Sequence, residues 1–227
     1  MSYTNNMNEP TGPRESGEAK SEKQQLQERG REIVLNAPVL YVDVDIEADG
    51  KAGHGSMLSI GAQSPTGENF YREIKPLSED FVASQREFCE EHGLQRERLM
   101  QEAQDYIEVM QELADWLSEL HAKYGKPPVF TAFNAAFDFA FVDLYFVKAG
   151  LKNPFGIAPF DLKSLAMPLV GDGNWDWSQT TKSKLPEIIV PDGDFTHHAL
   201  EDAQYQQKLH FGMAALLAKR PLDTLLQ

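Results

Sequence analysis

Residues 39–46 read VLYVDVDI, and this run constrains the fold more than any other stretch of the chain. It is apolar and rich in β-branched residues, as a central strand buried within a sheet requires. It leads into Asp43-Val-Asp45-Ile-Glu47-Ala-Asp49-Gly50, so four acids gather at the end of an otherwise buried element. Side chains alternate along a strand, which puts Asp43, Asp45, Glu47 and Asp49 on one side. Crowded carboxylates raise one another's pKa unless a cation neutralises them. Hard oxygen ligands of this kind suit Mg²⁺ or Mn²⁺. A solvated acidic turn is the plain alternative. A calcium loop of EF-hand type fails: its twelfth position, counted from Asp45, is Ser56 rather than Glu, and no helix precedes it.

The segments that follow predict a sheet with helices on its faces. Residues 57–62 (MLSIGA) and 69–74 (NFYREI) read as two more strands, with turn chemistry at Ser64–Gly67 between them. Helices are expected over Asp80–His92, closed by Gly93, and over Asp105–Lys123. In the second, Ile107, Met110, Leu113, Ala114, Leu117 and Leu120 share a face. Gly125 and Pro127–Pro128 stop it, and Val129–Ala132 is a short strand. Asn134 is a good N-cap for a helix to about Ala149. A short helix is expected over Asp161–Leu169, mostly loop to residue 195, and a closing helix over His198–Leu217. This order predicts an α/β fold with a mixed sheet, an antiparallel meander then parallel strands, flanked by helices.

Residues 1–36 are polar and nearly free of large apolar side chains. Such a segment buries too little surface to offset its ordering entropy. The expectation is a disordered N-terminal tail, with at most a frayed helix over Glu18–Glu32. That leaves 37–220 as the folded domain and 221–227 as a C-terminal tail; the first tail is also open to a role as a partner-binding arm. Net charge is −14, from 35 acids against 21 Lys and Arg. This argues against a grip on long duplex, and permits capture of a short single-stranded end through metals and stacking. One cysteine, Cys89, allows neither an internal disulfide nor a thiolate zinc cluster, so a reduced, cytoplasmic setting is expected. No stretch approaches the length of a transmembrane helix, and the first twenty residues lack the apolar region of a secretory signal, so no membrane partner is expected.

Two further segments carry candidate chemistry. In Phe130-Thr-Ala-Phe133-Asn134-Ala-Ala-Phe137-Asp138, the acid sits among aromatics. It is either a costly buried carboxylate that a metal explains, or a first-turn acid favoured by the helix dipole. The residues alone leave the two even. In Thr196-His197-His198-Ala199-Leu200-Glu201-Asp202, a lone His-x₄-Asp is weak evidence by itself, and His198 reads as structural or surface.

Taken together, the three segments resemble the DEDDh 3′–5′ exonucleases, a family on the ribonuclease H-like fold that includes polymerase proofreading subunits, RNase T and oligoribonuclease. The first family motif is matched by Asp45, Glu47 and Gly50, the second by Asn134, Phe137 and Asp138, and the third by His197, Ala199 and Asp202. The resemblance covers about residues 38–220. It departs at Phe133, where a polar residue is common, and at Ala48, where Thr is common.

The resemblance implies metal ligands Asp45, Glu47, Asp138 and Asp202, two divalent cations (Mg²⁺ or Mn²⁺), and His197 as general base. It implies hydrolysis at single-stranded nucleic acid 3′ ends, releasing nucleoside 5′-monophosphates. Ala48, Met57, Phe133 and Asn134 are candidate contacts to the terminal nucleotide, with burial in the core the alternative for Met57 and Phe133. Trp175 and Trp177 either line the approach of the strand or pack their loop. DNA, RNA and short oligonucleotides all remain open as substrates, as do a homodimer and a polymerase docked through the tail. A catalytically silent module on the same fold is the competing class; such modules lose a ligand or the histidine, and all five positions are filled here.

Overall fold

The computed structural model describes residues 20–170, 175–193 and 195–218. Five strands form one mixed sheet: β1 (Leu40–Ala48), β2 (Met57–Gln63), β3 (Asn69–Glu73), β4 (Pro128–Ala132) and β5 (Phe160–Asp161). Their order is β3-β2-β1-β4-β5, so the acid-bearing β1 is central, as its composition requires. β1–β2 and β2–β3 pair antiparallel; β1–β4 and β4–β5 pair parallel. The helices are α1 (Glu22–Leu35), α2 (Ala83–Glu91), α3 (Arg96–Glu102), α4 (Tyr106–Tyr124), α5 (Ala135–Ala149), α6 (Leu162–Ala166) and α7 (Ala199–Ala218).

The two faces of β1 carry different chemistry. Leu40, Val42, Val44 and Ile46 join the main core with Leu113 and Leu117 of α4 and Phe141 and Phe146 of α5. The intervening Asp43 and Asp45 face α7, which lies across β1 and β2. Of the expected α4 face, Met110, Leu113, Leu117 and Leu120 are buried and Val109 joins them, but Ile107 is 49% exposed. Helix α3 was not visible in the pattern: it is seven residues long, too short to show a period.

The expected disordered tail is corrected over residues 22–35. Ser21 opens α1 with a capping box: its hydroxyl accepts from Gln24 N–H at 3.2 Å, and Gln24 Oε1 accepts from Ser21 N–H at 2.9 Å. Leu26, Gly30 and Val34 recur every four residues and form the buried stripe, which docks on α7. At Gly30 the backbones approach so closely that a Cβ would overlap the Phe211 carbonyl. Three small or apolar residues at helical spacing suffice to dock an otherwise polar helix, and average composition hides them. Residues 1–19 and 221–227, the rest of the two expected tails, lie outside the described residues.

Candidate active site

A buried polar seam between β1 and α7 sets the geometry. The two elements run in opposite directions, so His210 stands by Asp43 and Asp202 by Asp45 and Glu47. His210 Nδ1 lies 3.4 Å from Asp43 Oδ2. Gln206 Nε2 reaches Asp43 Oδ1 at 3.4 Å and the Val44 and Thr131 carbonyls at 3.3 Å, while its Oε1 accepts from Phe133 N–H at 2.6 Å. One glutamine thus ties β1, β4 and the turn into α5 to the closing helix. Asp43 is fully buried and its pKa is raised, chiefly by burial, with His210 opposing. Its role is to anchor this seam.

The four acids of β1 therefore separate. The register shifts between Glu47 and Ala48. Beyond that irregularity Asp49 is turned into a buried ion pair with Arg96 and accepts from Ser56 N–H at 2.7 Å. The expectation that all four acids share one side is corrected at Asp49, where alternation fails at the bulge, while Asp43 keeps that side and is covered by α7. Asp45 and Glu47 alone face a cleft of about 510 Å³ lined also by Phe133, Asn134, Asp138, Lys182, His197 and Asp202.

Asp138 reaches that cleft from the first turn of α5. It is 7% exposed, and its Oδ1 accepts from Ile46 N–H at 3.3 Å, so it is clamped to β1. Asn134 is not a side-chain cap: its backbone is left-handed (φ 73°, ψ 47°) and its side chain makes no cap bond. Asp161, at the end of β5, does that work, accepting from Asn134 and Ala135 N–H at 3.0 Å. The left-handed turn aims the start of α5 at β1, a conformation Asn tolerates better than most residues.

Asp202 sits 3% exposed in the first turn of α7 and binds the backbone before it, accepting from Thr196 N–H at 2.9 Å and His197 N–H at 3.1 Å. These bonds hold His197 in a left-handed conformation (φ 58°) at the rim of the cleft. The imidazole packs edge-on against Phe88 and His92, ring centroids 4.5 and 4.7 Å away. His198 points elsewhere and stacks on Tyr71 at 4.3 Å.

Acids outnumber cations in the cleft. Burial, then the neighbouring Asp138, Glu47 and Asp202, raise the Asp45 pKa well above its ordinary value. Burial and Asp202 push Glu47 up to about 7. Burial pushes Asp138 to about 7 against the pull of two backbone N–H groups. The His197 pKa is lowered, mainly by burial, with Asp202 opposing. Among the described residues, no hydrogen bond or ion pair is made by the Asp45 or Glu47 carboxylate. Glu47, His197 and Asp202 present ligand atoms within 4.8 Å of one another. Carboxylates held together with so little compensation fit divalent cations.

Several participants carry no sequence signal. Lys182, from a short 3₁₀ turn (Lys182–Lys184), is the one Lys or Arg among the described residues lining the cleft. Phe195 lies under its ammonium, and Phe88 and His92 support His197 from another element. Lys182, Phe88 and His92 lie far in sequence from the acids, Phe195 stands just before His197, and none of them belongs to a motif. Of the candidate nucleotide contacts, Phe133 and Asn134 line the cleft, whereas Met57 (0% exposed) and Ala48 (9%) belong to the core. Met57 takes the core alternative, since its strand is covered on both faces. Cys89 is buried beneath the Ala48 carbonyl and its thiol is pushed up to about 12, mainly by burial, so it is inert.

The chain is similar to known proteins. The family model described as the 3′–5′ exoribonuclease Rv2179c-like domain matches residues 41–211. The Escherichia coli protein named 3′–5′ DNA exonuclease Cap18 is 35% identical over 187 residues, spanning 81% of this chain and 96% of its own length. The fold is that of the nuclease domain of 3′hExo, a DEDDh family member solved bound to rAMP (TM-score 0.59, 14% identity, 79% of this chain and 92% of that one). It is also that of the RNase domain of yeast Pop2 (TM-score 0.52, 16% identity, 87% and 82%). The chain is therefore a 3′–5′ exonuclease that belongs to the Rv2179c-like family.

Proposed function

We propose that the enzyme hydrolyses the 3′-terminal phosphodiester of single-stranded nucleic acid and releases nucleoside 5′-monophosphates. The observation that carries this reading is the convergence of Asp45, Glu47, Asp138, Asp202 and His197, from three separate segments, on one open cleft. The four carboxylates would hold two divalent cations, Mg²⁺ or Mn²⁺. Bound there, the cations supply a water of lowered pKa and positive charge for the leaving oxygen.

The protein's own groups divide the remaining work. His197, whose pKa is lowered mainly by burial, accepts the water's proton. Phe88 and His92 limit how its ring turns. Phe133 and Asn134 stand on the cleft wall, where the terminal nucleotide would lie. Trp175 and Trp177, 77% and 49% exposed on the segment that leads to Lys182, offer stacking faces to upstream bases. The family description names an exoribonuclease and the Escherichia coli relative a DNA exonuclease, so the sugar preference is best tested with both substrates.

The test is a gel assay of 5′-labelled single-stranded DNA, RNA and a dinucleotide with Mg²⁺ or Mn²⁺. Shortening from the 3′ end is expected, and Asp45→Asn should abolish it. His197→Ala should lower the rate by about 10²–10⁴-fold while Mn²⁺ still binds. A wild-type protein that shortens no substrate, or an Asp45→Asn variant as active as wild type, overturns the reading.

A further inference from the structure

Lys182 is placed unlike an ordinary partner for acids. Its ammonium faces all four carboxylates of the cleft, and each of them acts on it electrostatically. Yet among the described residues no carboxylate oxygen lies within ion-pair distance of it. The ammonium rests instead on the Phe195 ring, 3.3 Å from its centroid, with the Phe133 ring 5.3 Å away. Cation–π attraction of this kind holds a lysine where simple Coulomb attraction would drop it onto the acids. Its backbone is tied down as well: the Lys182 carbonyl accepts from Leu185 N–H at 3.3 Å, and Leu185 is buried in a second core cluster. A lone cation is thus held across an open gap from four anions.

We propose that Lys182 binds the scissile phosphate, donating a hydrogen bond from its ammonium to a non-bridging oxygen. The inference rests on the hydrolysis proposed above. Charge matching supports it. Four carboxylates balance two divalent cations, which leaves the single negative charge of a phosphodiester without a counter-ion except Lys182. As water attacks, negative charge grows on the phosphoryl oxygens, and a fixed ammonium stabilises that charge more than it does the ground state. Burial lowers the Lys182 pKa and the four acids oppose that shift; Lys182 acts as the ammonium and gives up no proton in the step. Phe195 and Phe133 are positioning residues: they fix the ammonium and touch no reacting atom.

The experiment compares wild type, Lys182→Met, Lys182→Arg and Asp45→Asn by steady-state cleavage of single-stranded oligonucleotide. Two binding readouts accompany it: Mn²⁺ affinity by calorimetry, and the affinity of AMP and dAMP in the presence of Mn²⁺. Lys182→Met should lose about 10- to 100-fold in kcat/KM, with kcat falling more than KM rises, and should bind the monophosphates about tenfold more weakly. Its Mn²⁺ affinity should be unchanged or tighter, since a competing cation is gone. Lys182→Arg, which keeps the charge, should recover part of the loss. Wild-type kcat/KM in Lys182→Met overturns the proposal. So does loss of Mn²⁺ binding together with activity, which marks a structural role, and so does a Lys182→Arg variant as impaired as Lys182→Met. Active wild type with inactive Asp45→Asn and normal Lys182→Met sinks this inference alone. Inactive wild type sinks the parent reading.

Discussion

A single methyl group at position 61 should pull the active site apart. Gly61 pairs with Asp45 in the β1–β2 ladder, and the start of α7 rests directly on it. A Cβ built there would lie 2.2 Å from Leu200 N and 2.3 Å from Ala199 C, where ordinary contact begins at 3.4 Å. Both obstacles are backbone, so no rotamer relieves them, and the helix start must withdraw by about 1 Å. Leu200 lies between His197 and Asp202, the two groups that α7 brings to Asp45 and Glu47. A displacement near 1 Å in a catalytic constellation costs on the order of 10²-fold in rate. Overpacking itself costs about 1–3 kcal/mol, and each kcal/mol lowers Tm by about 2–4 °C in a chain of this size. Gly61→Ala should therefore show a large fall in kcat on 5′-labelled single-stranded DNA, weaker Mn²⁺ binding by calorimetry, and a modest fall in Tm. Gly212→Ala is the control: it presses on the Ile189 side chain at 2.9 Å, away from the cleft, and should lower Tm with far less loss of rate. Wild-type turnover and wild-type Mn²⁺ affinity in Gly61→Ala would refute the argument that this contact sets the spacing of the site.

The pH dependence of the metal-free protein has a defined sign. Glu47 and Asp138 rise from ordinary values of 4.5 and 3.8 to about 7 in the fold, so the stability their protonation provides is full below about 4 and is lost as pH rises through 7. Melting in EDTA should therefore show Tm falling from pH 5 to pH 8, and Mn²⁺ at about 100 times its Kd should add about 2.7 kcal/mol near neutrality and remove that fall; a flat profile in EDTA counts against the crowding. Trp175→Ala and Trp177→Ala should raise KM for longer single strands, each base–ring stack being worth about 1–3 kcal/mol, and leave dinucleotide cleavage unchanged; equal loss on both substrates marks loop packing instead. Deleting residues 1–36 should lower Tm sharply, because Leu26 and Val34 are each worth about 1.5–3 kcal/mol when buried; an unchanged Tm means α1 does not stabilise the domain.

Local pattern carried much of this protein. The apolar run of β1, the turn at Ser64–Gly67 and the periodic face of α4 all report on neighbours within a few residues, and their strands and helices stand within a few positions of expectation. The acids at the end of β1 were legible for a related reason, whereas Asp138 alone stayed even between two readings and the His197–Asp202 pair was weak until the three segments were matched together to the DEDDh pattern. A carboxylate at the end of a buried strand or among phenylalanines is costly, and the cost is visible in one dimension.

What the tertiary structure decided are the relations that no local spacing encodes. Simple alternation put Asp43, Asp45, Glu47 and Asp49 together, but the bulge after Glu47 sends Asp49 to Arg96, and α7 claims Asp43 through Gln206 and His210. Asn134 looked like a cap, yet Asp161, 27 residues on, is the acceptor. The polar N-terminal segment looked unable to order, yet α7 supplies the apolar surface that it lacks by itself. Lys182 and Phe195 reach the cleft from the segment before α7, and Phe88 and His92 reach the His197 ring from the end of α2. The residues alone determined which acids had to be reconciled with burial. Only packing decided which of them face the cleft and which are paired, because charge neutralisation acts through space, and the chain brings distant partners together only once it has folded.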